Sequence, residues 1–285
     1  MAVATGQRDV EIVAVDAMQV YRGMDIGTAK PSEHDQQMVR HHGIDLVEPS
    51  AIFTVAEFQQ MANHALAGIG ARGGTALLVA GTGLYLSALV NELDLPGSWP
   101  EVRERLEREA AQPDGVAMLY ARLCELDQAA AQRMEPANAR RIVRALEVCE
   151  GSGRPFSSYG PGLETYPDSE IVQIGIRWSR ERLAERIAAR VQRMMERGLL
   201  EEVRGLLDSS PLSRTAAQAL GYKELIDHLE GRCSIDEAVN TIITRTRQFA
   251  VRQDRWFRRD PRIRWVDIKD DPLEAVPIVE REVVR

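Results

Sequence analysis

Asp16 directly follows the apolar run Ile12, Val13, Ala14, Val15. A carboxylate at the end of a buried run can take a proton, ligate a metal or accept a hydrogen bond from a substrate N–H. The plainer reading is a cap on the structure that follows, a frequent job for Asp. Asp16 alone leaves both readings open. Thr82 ends a second apolar run, inside Gly81-Thr82-Gly83. There a hydroxyl and backbone N–H groups ahead of a helix can hold an anion. A lone Gly-x-Gly is a weak signal, and an ordinary strand-to-helix turn explains it equally well. Two polar groups at neighbouring strand ends carry more weight together, because open α/β sheets bind ligands beyond the carboxyl ends of their strands.

Three groups of arginines could face an anion. Arg182, Arg186, Arg190, Arg193 and Arg197 recur at steps of three and four beside the apolar stripe Leu183, Ile187, Val191, Met194. Such a continuous ridge can clamp phosphates. It can also be a solvated face paired with Glu181, Glu185 and Glu196. Arg140, Arg141 and Arg144 make a second basic face. The third, Thr244 to Arg259, holds six arginines and one aspartate, a local net charge of +5. Its Phe249, Trp256 and Phe257 fall at helical spacing and read as core rather than base-stacking platforms. The whole chain carries −7, which argues weakly against nucleic acid, but distribution matters more than the total. Three basic faces on an acidic protein suggest a polyanion docked at a defined place.

The elements that must position these groups alternate in kind. Residues 9–16 read as a strand, and "HDQQMVRHHG" as a helix and its end, with His41 and His42 in a helix end or turn. Thr54 opens a helix whose stripe is Val55, Phe58, Met61, Ala65, Leu66 and Ile69; Gly73 and Gly74 stop it. "TALLVAGTGLYLSALV" is strand, turn, helix, the rhythm of a parallel α/β sheet. From about Pro96 the chain turns helical and charged. The expected division is an α/β core part over 1–95, a helical insertion over 96–165 and a second core part over 166–285. "GSGRPFSSYGPG" is a loop by composition. A strand in "SEIVQIGIRWS" then leads into one long helix capped by Ser179, through "RERLAERIAARVQRMMERGLLEEVRGLLD". The remainder is helical until a last strand in "IRWVDI".

The 285 residues, 44% hydrophobic and 28% charged, suit one large or two modest domains. No apolar stretch is long enough to span a membrane, and no secretory signal pattern opens the chain. Cys124, Cys149 and Cys233 are an odd number at wide spacing, which suits a reducing compartment and no zinc site.

Five segments, "VDAMQVYRGMDIGTAKP", "LLVAGTGLYLSAL", "NARRIVRALEV", "ALGYKEL" and "TRQFAVRQDRWFRRD", occur in this order. Together they resemble the successive motifs of the bacterial tRNA dimethylallyltransferase family over nearly the whole chain. The resemblance implies a P-loop NTPase-like, nucleotide- and ATP-binding parallel α/β core with an inserted helical domain. It implies transfer of a dimethylallyl group from dimethylallyl diphosphate to N6 of adenosine 37 in tRNAs reading codons that begin with U, with Mg²⁺ as cofactor. A cytoplasmic monomer is expected, with tRNA through its anticodon stem-loop as partner and no membrane. By this resemblance Asp16 is the general base, and Thr82 and Arg190 contact the diphosphate. The groups facing tRNA are Asp16, Ala17, Met18, Gln19, Thr82, Arg103, Arg140, Arg141, Ile142, Val143, Arg144, Gln218, Ala219, Leu220, Gly221, Tyr222 and Lys223. The metal ligands are unknown.

One motif of the resemblance has no counterpart. The family opens with a GxxxxGK[ST]-like loop after its first strand, and "ATGQRD" lacks both the lysine and the spacing. "MAVATGQRDVEIVAVD" reads as the tail of the next helix running into the second strand. The expectation is that about 20–30 residues of strand, loop and helix belong upstream of Met1. A chain truly starting at Met1 would transfer little prenyl group and dissolve poorly. Three other readings stand beside this one: an isopentenyl transferase or kinase acting on free adenine nucleotides, an inactive tRNA-binding remnant, and an α/β domain whose arginines merely pair with acids.

Overall fold

The computed structural model describes residues 9–160, 163 and 165–283. The helix tail expected at the very start, and part of the end of the loop after Gly160, lie outside the described residues. The chain forms two compact units: one from residues up to Val90 together with Asp168 onward, the other Asn91–Pro167.

In the first unit, β1 (Val10–Val15) is VEIVAV. Branched side chains fit the pleat, and all but Glu11 are buried, as expected of a parallel strand covered on both faces. A six-residue helix, α1 (Glu33–Met38), is capped by Ser32. Contrary to expectation, His41 and His42 form a short strand, β2 (His41–His42), parallel to β1, and not a helix end or turn. Val39 is already extended, and His42 Nε2 lies 2.6 Å from the Glu11 carboxylate. Two residues are too few to print a period of two in sequence.

Helix α2 (Val55–Ala71) starts at Thr54, whose hydroxyl accepts from the Glu57 N–H while Glu57 reaches back, a capping box. It buries Phe58, Ala62, Ala65 and Ile69 against β1; complete burial of Phe58 contributes about 1.5–3 kcal/mol. Strand β3 (Thr75–Ala80) completes the order β2-β1-β3, all parallel. Its register sets Val15 opposite Ala80, so Asp16 and Gly81 leave the sheet side by side. Helix α3 (Gly83–Val90) follows at once.

The second unit packs α4 (Pro100–Ala110), α5 (Gly115–Leu126), α6 (Gln128–Ala131) and α7 (Ala139–Ser152). Its core is Leu106, Leu119, Leu123, Ile142 and Leu146 with their neighbours. Glu147 is completely buried there.

The first unit resumes with β4 (Ile174–Trp178), paired in parallel with the later β5 (Arg264–Ile268). Between them run α8 (Arg180–Glu196), α9 (Leu199–Ser209), α10 (Arg214–Ala217), α11 (Tyr222–Leu229) and α12 (Ile235–Phe257); α13 (Val276–Val283) ends the described chain. The single long helix expected after Ser179 is two helices. Gly198 sits at φ 94°, a left-handed conformation that glycine adopts without strain, and turns α9 away from α8. Val191, Met194, Leu199, Val203, Tyr222, Leu225 and Ile242 then share one core with Val20, Tyr21 and Met24.

Candidate active site

The carboxyl ends of β1 and β3 bring three of the expected site residues together. Asp16 Oδ1 accepts from the N–H groups of Met18 (2.7 Å) and Gln19 (3.2 Å), so the aspartate does cap the turn that follows. Among the described residues no hydrogen bond reaches Oδ2, which stays available on the Gly81 side. Thr82 Oγ1 accepts from Ala17 N–H at 3.2 Å, tying the two strand ends to each other. Arg190, on α8, lies near enough for the Asp16 charge to act on it. Enclosure by protein lowers its guanidinium pKa, opposed in part by the Asp16 carboxylate. The residue nonetheless keeps solvent access. Crowded yet wet is the environment of a cleft wall.

The floor is aromatic. Tyr85 of α3 packs on Phe58 with ring centroids 4.5 Å apart. Burial first, then Tyr21 and Asp16, push its phenol well above the usual range, leaving a neutral hydroxyl. Helix α12 closes the side: Gln253 Nε2 donates to Gly81 O at 2.6 Å. Trp256 lies so close to Gly83 that a Cβ there would stand 2.3 Å from the indole. Gly83 is therefore required by packing. Sequence reading missed Tyr85, Gln253 and Trp256 as parts of this site; within the third basic run it set Trp256 aside as core and gave phosphate contact to the arginines.

Several expectations need correction. The ridge on α8 is not continuous: Arg182 pairs with Glu185 and Asp270, and Arg186 stacks on Trp178 at 4.2 Å. Arg193 and Arg197 are exposed. Ile142 and Val143 lie buried in the helical core, so their side chains cannot face an RNA. Ala219, Gly221 and Tyr222 are buried as well, whereas Gln218 is exposed and Leu220 and Lys223 are half-buried. Arg103 and Arg144 both bind Glu147, at 2.7 and 3.0 Å; Arg140 and Arg141 are exposed. Phe249 is not core but 37% exposed.

For Mg²⁺, no group of three or more His, Cys, Asp or Glu side chains among the described residues could form a cage. The hard oxygens at the site are Asp16 Oδ2 and the Thr82 hydroxyl. That set suits a magnesium ion carried mainly by substrate phosphates, its common mode.

A carboxylate and a hydroxyl at the ends of parallel strands, with a guanidinium on α8 whose charge the carboxylate senses, are groups that could serve group transfer with an anionic leaving group. The chain belongs to the IPP transferase family, which matches residues 19–260. It is 45% identical over 280 residues to the tRNA dimethylallyltransferase of Streptomyces coelicolor, covering 96% of this chain and 88% of that protein. Among solved structures, the tRNA isopentenylpyrophosphate transferase of Bacillus halodurans superposes with a TM-score of 0.70 at 35% identity, covering 99% of this chain and 90% of that one. A eukaryotic dimethylallyltransferase acting on tRNA, 24% identical, shares the fold at a TM-score of 0.78, with 99% and 74% covered.

Proposed function

We propose that the chain transfers a dimethylallyl group from dimethylallyl diphosphate to N6 of adenosine 37 in tRNAs reading codons that begin with U. The products are N6-(dimethylallyl)adenosine and diphosphate. The observation that carries this reading is the joining of Asp16 and Thr82 at the ends of β1 and β3, with Arg190 of α8 near enough for the Asp16 charge to act on it, in a chain of this family.

The exocyclic amine of adenine is a weak nucleophile. As N6 attacks the allylic carbon, the carbon–oxygen bond breaks and diphosphate leaves with the electron pair. The N6 proton goes to Asp16 Oδ2; such base assistance contributes roughly 10²–10⁴-fold. Arg190 and the Thr82 hydroxyl stabilise the charge growing on the leaving oxygens. The Thr82 hydroxyl and the substrate phosphates would hold a Mg²⁺ ion here, which would supply partial neutralisation of that charge. A stacked base cannot reach Oδ2, so adenosine must be turned out of the loop; unstacked loops are the usual targets of RNA recognition.

The finer fold assignment, a P-loop-type core, belongs to the same proposal and is supported by the all-parallel pairing of both sheets. So do the cytoplasmic setting, the monomeric state and contact of the helical unit with tRNA. Among the described residues no helix is long and apolar enough to cross a membrane.

The test is mass spectrometry of an anticodon stem-loop incubated with the protein, dimethylallyl diphosphate and Mg²⁺, beside AMP as the competing acceptor. A gain of one dimethylallyl group on the stem-loop adenosine is expected, with AMP left unmodified. Asp16→Ala should lose about 10²–10⁴-fold in turnover while still binding tRNA. Prenylated AMP, or full turnover by Asp16→Ala, contradicts the reading.

A further inference from the structure

Glu202 of α9 accepts four hydrogen bonds. Its Oε2 takes the N–H groups of Asp25 (3.1 Å) and Ile26 (2.7 Å). Its Oε1 takes the Gly27 N–H (3.3 Å) and the Tyr222 hydroxyl (2.6 Å). Three successive backbone N–H groups converging on one anion form a nest, and here the protein's own carboxylate fills it. Tyr222 is completely buried, and its ring closes on the loop: a Cβ at Gly27 would stand 2.4 Å from it. The glycine of "GTAKP" and the tyrosine of "ALGYKEL" thus meet in one contact.

The other end of this loop is held as firmly. The Lys30 side chain is 3% exposed, and its ammonium donates to Tyr21 O (2.8 Å), Asp25 Oδ1 (2.6 Å) and Asp45 Oδ1 (2.6 Å). Between the two anchors, the carbonyls of Thr28 and Ala29 accept from Gln19 Nε2 at 3.1 and 3.4 Å. Gln19 in turn gives its backbone N–H to Asp16 Oδ1. An unbroken line of contacts leads from α9 to the carboxylate at the end of β1.

We infer that Glu202 is a positioning residue for the Asp16 turn, acting through the Asp25–Lys30 loop and the Gln19 side chain. The inference rests on the reading of Asp16 as the base. Among the described residues, the hydrogen-bond partners of Glu202 do not include Asp16, Thr82 or Arg190, and the Tyr222 side chain that it binds is completely buried. What it fixes is the pair of carbonyls that orient Gln19, and through them the direction of Oδ2. Lys30 and Glu202 oppose each other in charge at the two ends of the loop, so neither end can drift without uncovering a nearly buried ion or an unpaired set of backbone N–H groups.

Glu202→Gln keeps the shape but points an amide donor at backbone donors. Amide hydrogen exchange at Met18 and Gln19 should quicken about tenfold, the scale of one lost charge-assisted bond, with β3 and α2 unchanged. The kcat should fall by a similar factor while KM for dimethylallyl diphosphate holds. Gln19→Ala, which leaves the core intact, should speed exchange at Met18 alike, and adding Glu202→Gln to it should change neither exchange nor kcat further. Ile242→Ala, in the same core, should lower Tm without either effect. If Glu202→Gln lowers Tm yet leaves Met18 and Gln19 exchange at the wild-type rate, or if its effect multiplies with that of Gln19→Ala, the coupling is refuted. Full turnover by Asp16→Ala would instead remove the base role, and the exchange measurements would still decide the coupling.

Discussion

At the scale of single residues, the capping reading of Asp16 is realised on one oxygen, and the other oxygen leaves room for the second reading. Oδ1 caps the turn at Met18 and Gln19; Oδ2, on the Gly81 side, is open to the proton transfer proposed above. Capping fixes the side-chain torsion, and a base with a fixed torsion loses less entropy when it meets its proton. Arg190 makes the companion case. Enclosure and Asp16 act on its pKa in opposite directions, the guanidinium stays charged and exposed, and a bound diphosphate could take two parallel N–H bonds from it. Lysine at the same place keeps the charge but not the fork. Arg190→Lys should raise KM for dimethylallyl diphosphate roughly 10- to 100-fold, the scale of bonds to charged groups, with tRNA affinity unchanged. Initial rates across a range of diphosphate concentrations measure it. An unchanged KM would place the leaving group elsewhere.

At the scale of elements, the strands and helices around the site were legible because each carries its own signal. Val10–Val15 is a continuous branched run, Thr54 and Glu57 are a capping box, and Phe58, Ala65 and Ile69 recur at helical steps. The two-residue strand at His41 has no period to read, and the break at Gly198 lies inside an apolar pattern that continues through it. Partnerships across elements were not legible at all. Arg103 and Arg144 are expected by resemblance to face tRNA; that both also pair with Glu147 depends on α4 and α7 packing together. Glu147 also accepts from the Trp99 N–H at 2.8 Å and from Ser98 Oγ at 3.3 Å. Burial alone would push its carboxyl up, but the Trp99 N–H, Arg144 and Arg103 outweigh this and hold it below the usual range. A carboxylate with a depressed folded pKa contributes stability that is complete above the unfolded value of about 4.3 and is lost as pH falls through the folded one. Acid titration followed by circular dichroism should therefore show a stability loss below about pH 4 that Glu147→Gln abolishes. At neutral pH that variant should be less stable by about 3 kcal/mol, the lower end for removing one partner of a buried pair, because Arg103 and Arg144 can reach water. Denaturant unfolding at pH 7 measures the difference, and equal stability would mean that the two arginines do not depend on Glu147.

At the scale of the whole molecule, the acidic total and the basic segments are reconciled by bookkeeping of individual arginines. Arg245, in the most basic run of the chain, is bound to buried Glu224 at 2.6 Å, and Arg258 to Asp254. Arg103 and Arg144 are similarly committed to buried Glu147, whereas the pair of Arg182 with Asp270 lies at the surface. Exposed positions such as Arg140 and Arg141 at the start of α7 are a different class, because a phosphate can reach them without breaking a buried pair. The distinction is measurable. Each phosphate neutralised by an arginine releases counterions and steepens the fall of log K with log salt by roughly 0.7–0.9. Replacing Arg140 and Arg141 by alanine should flatten the salt dependence of tRNA binding by roughly 1.5 in slope, with thermal stability preserved. Arg245→Ala should do the reverse: an unchanged slope and a lower Tm, since it strands the Glu224 carboxylate in the core. Fluorescence titrations at several salt concentrations separate the two. A slope that flattens for Arg245→Ala and not for the Arg140/Arg141 pair would mean that RNA breaks the Glu224 ion pair on binding, and that the basic segment of α12 is the phosphate-contacting face after all.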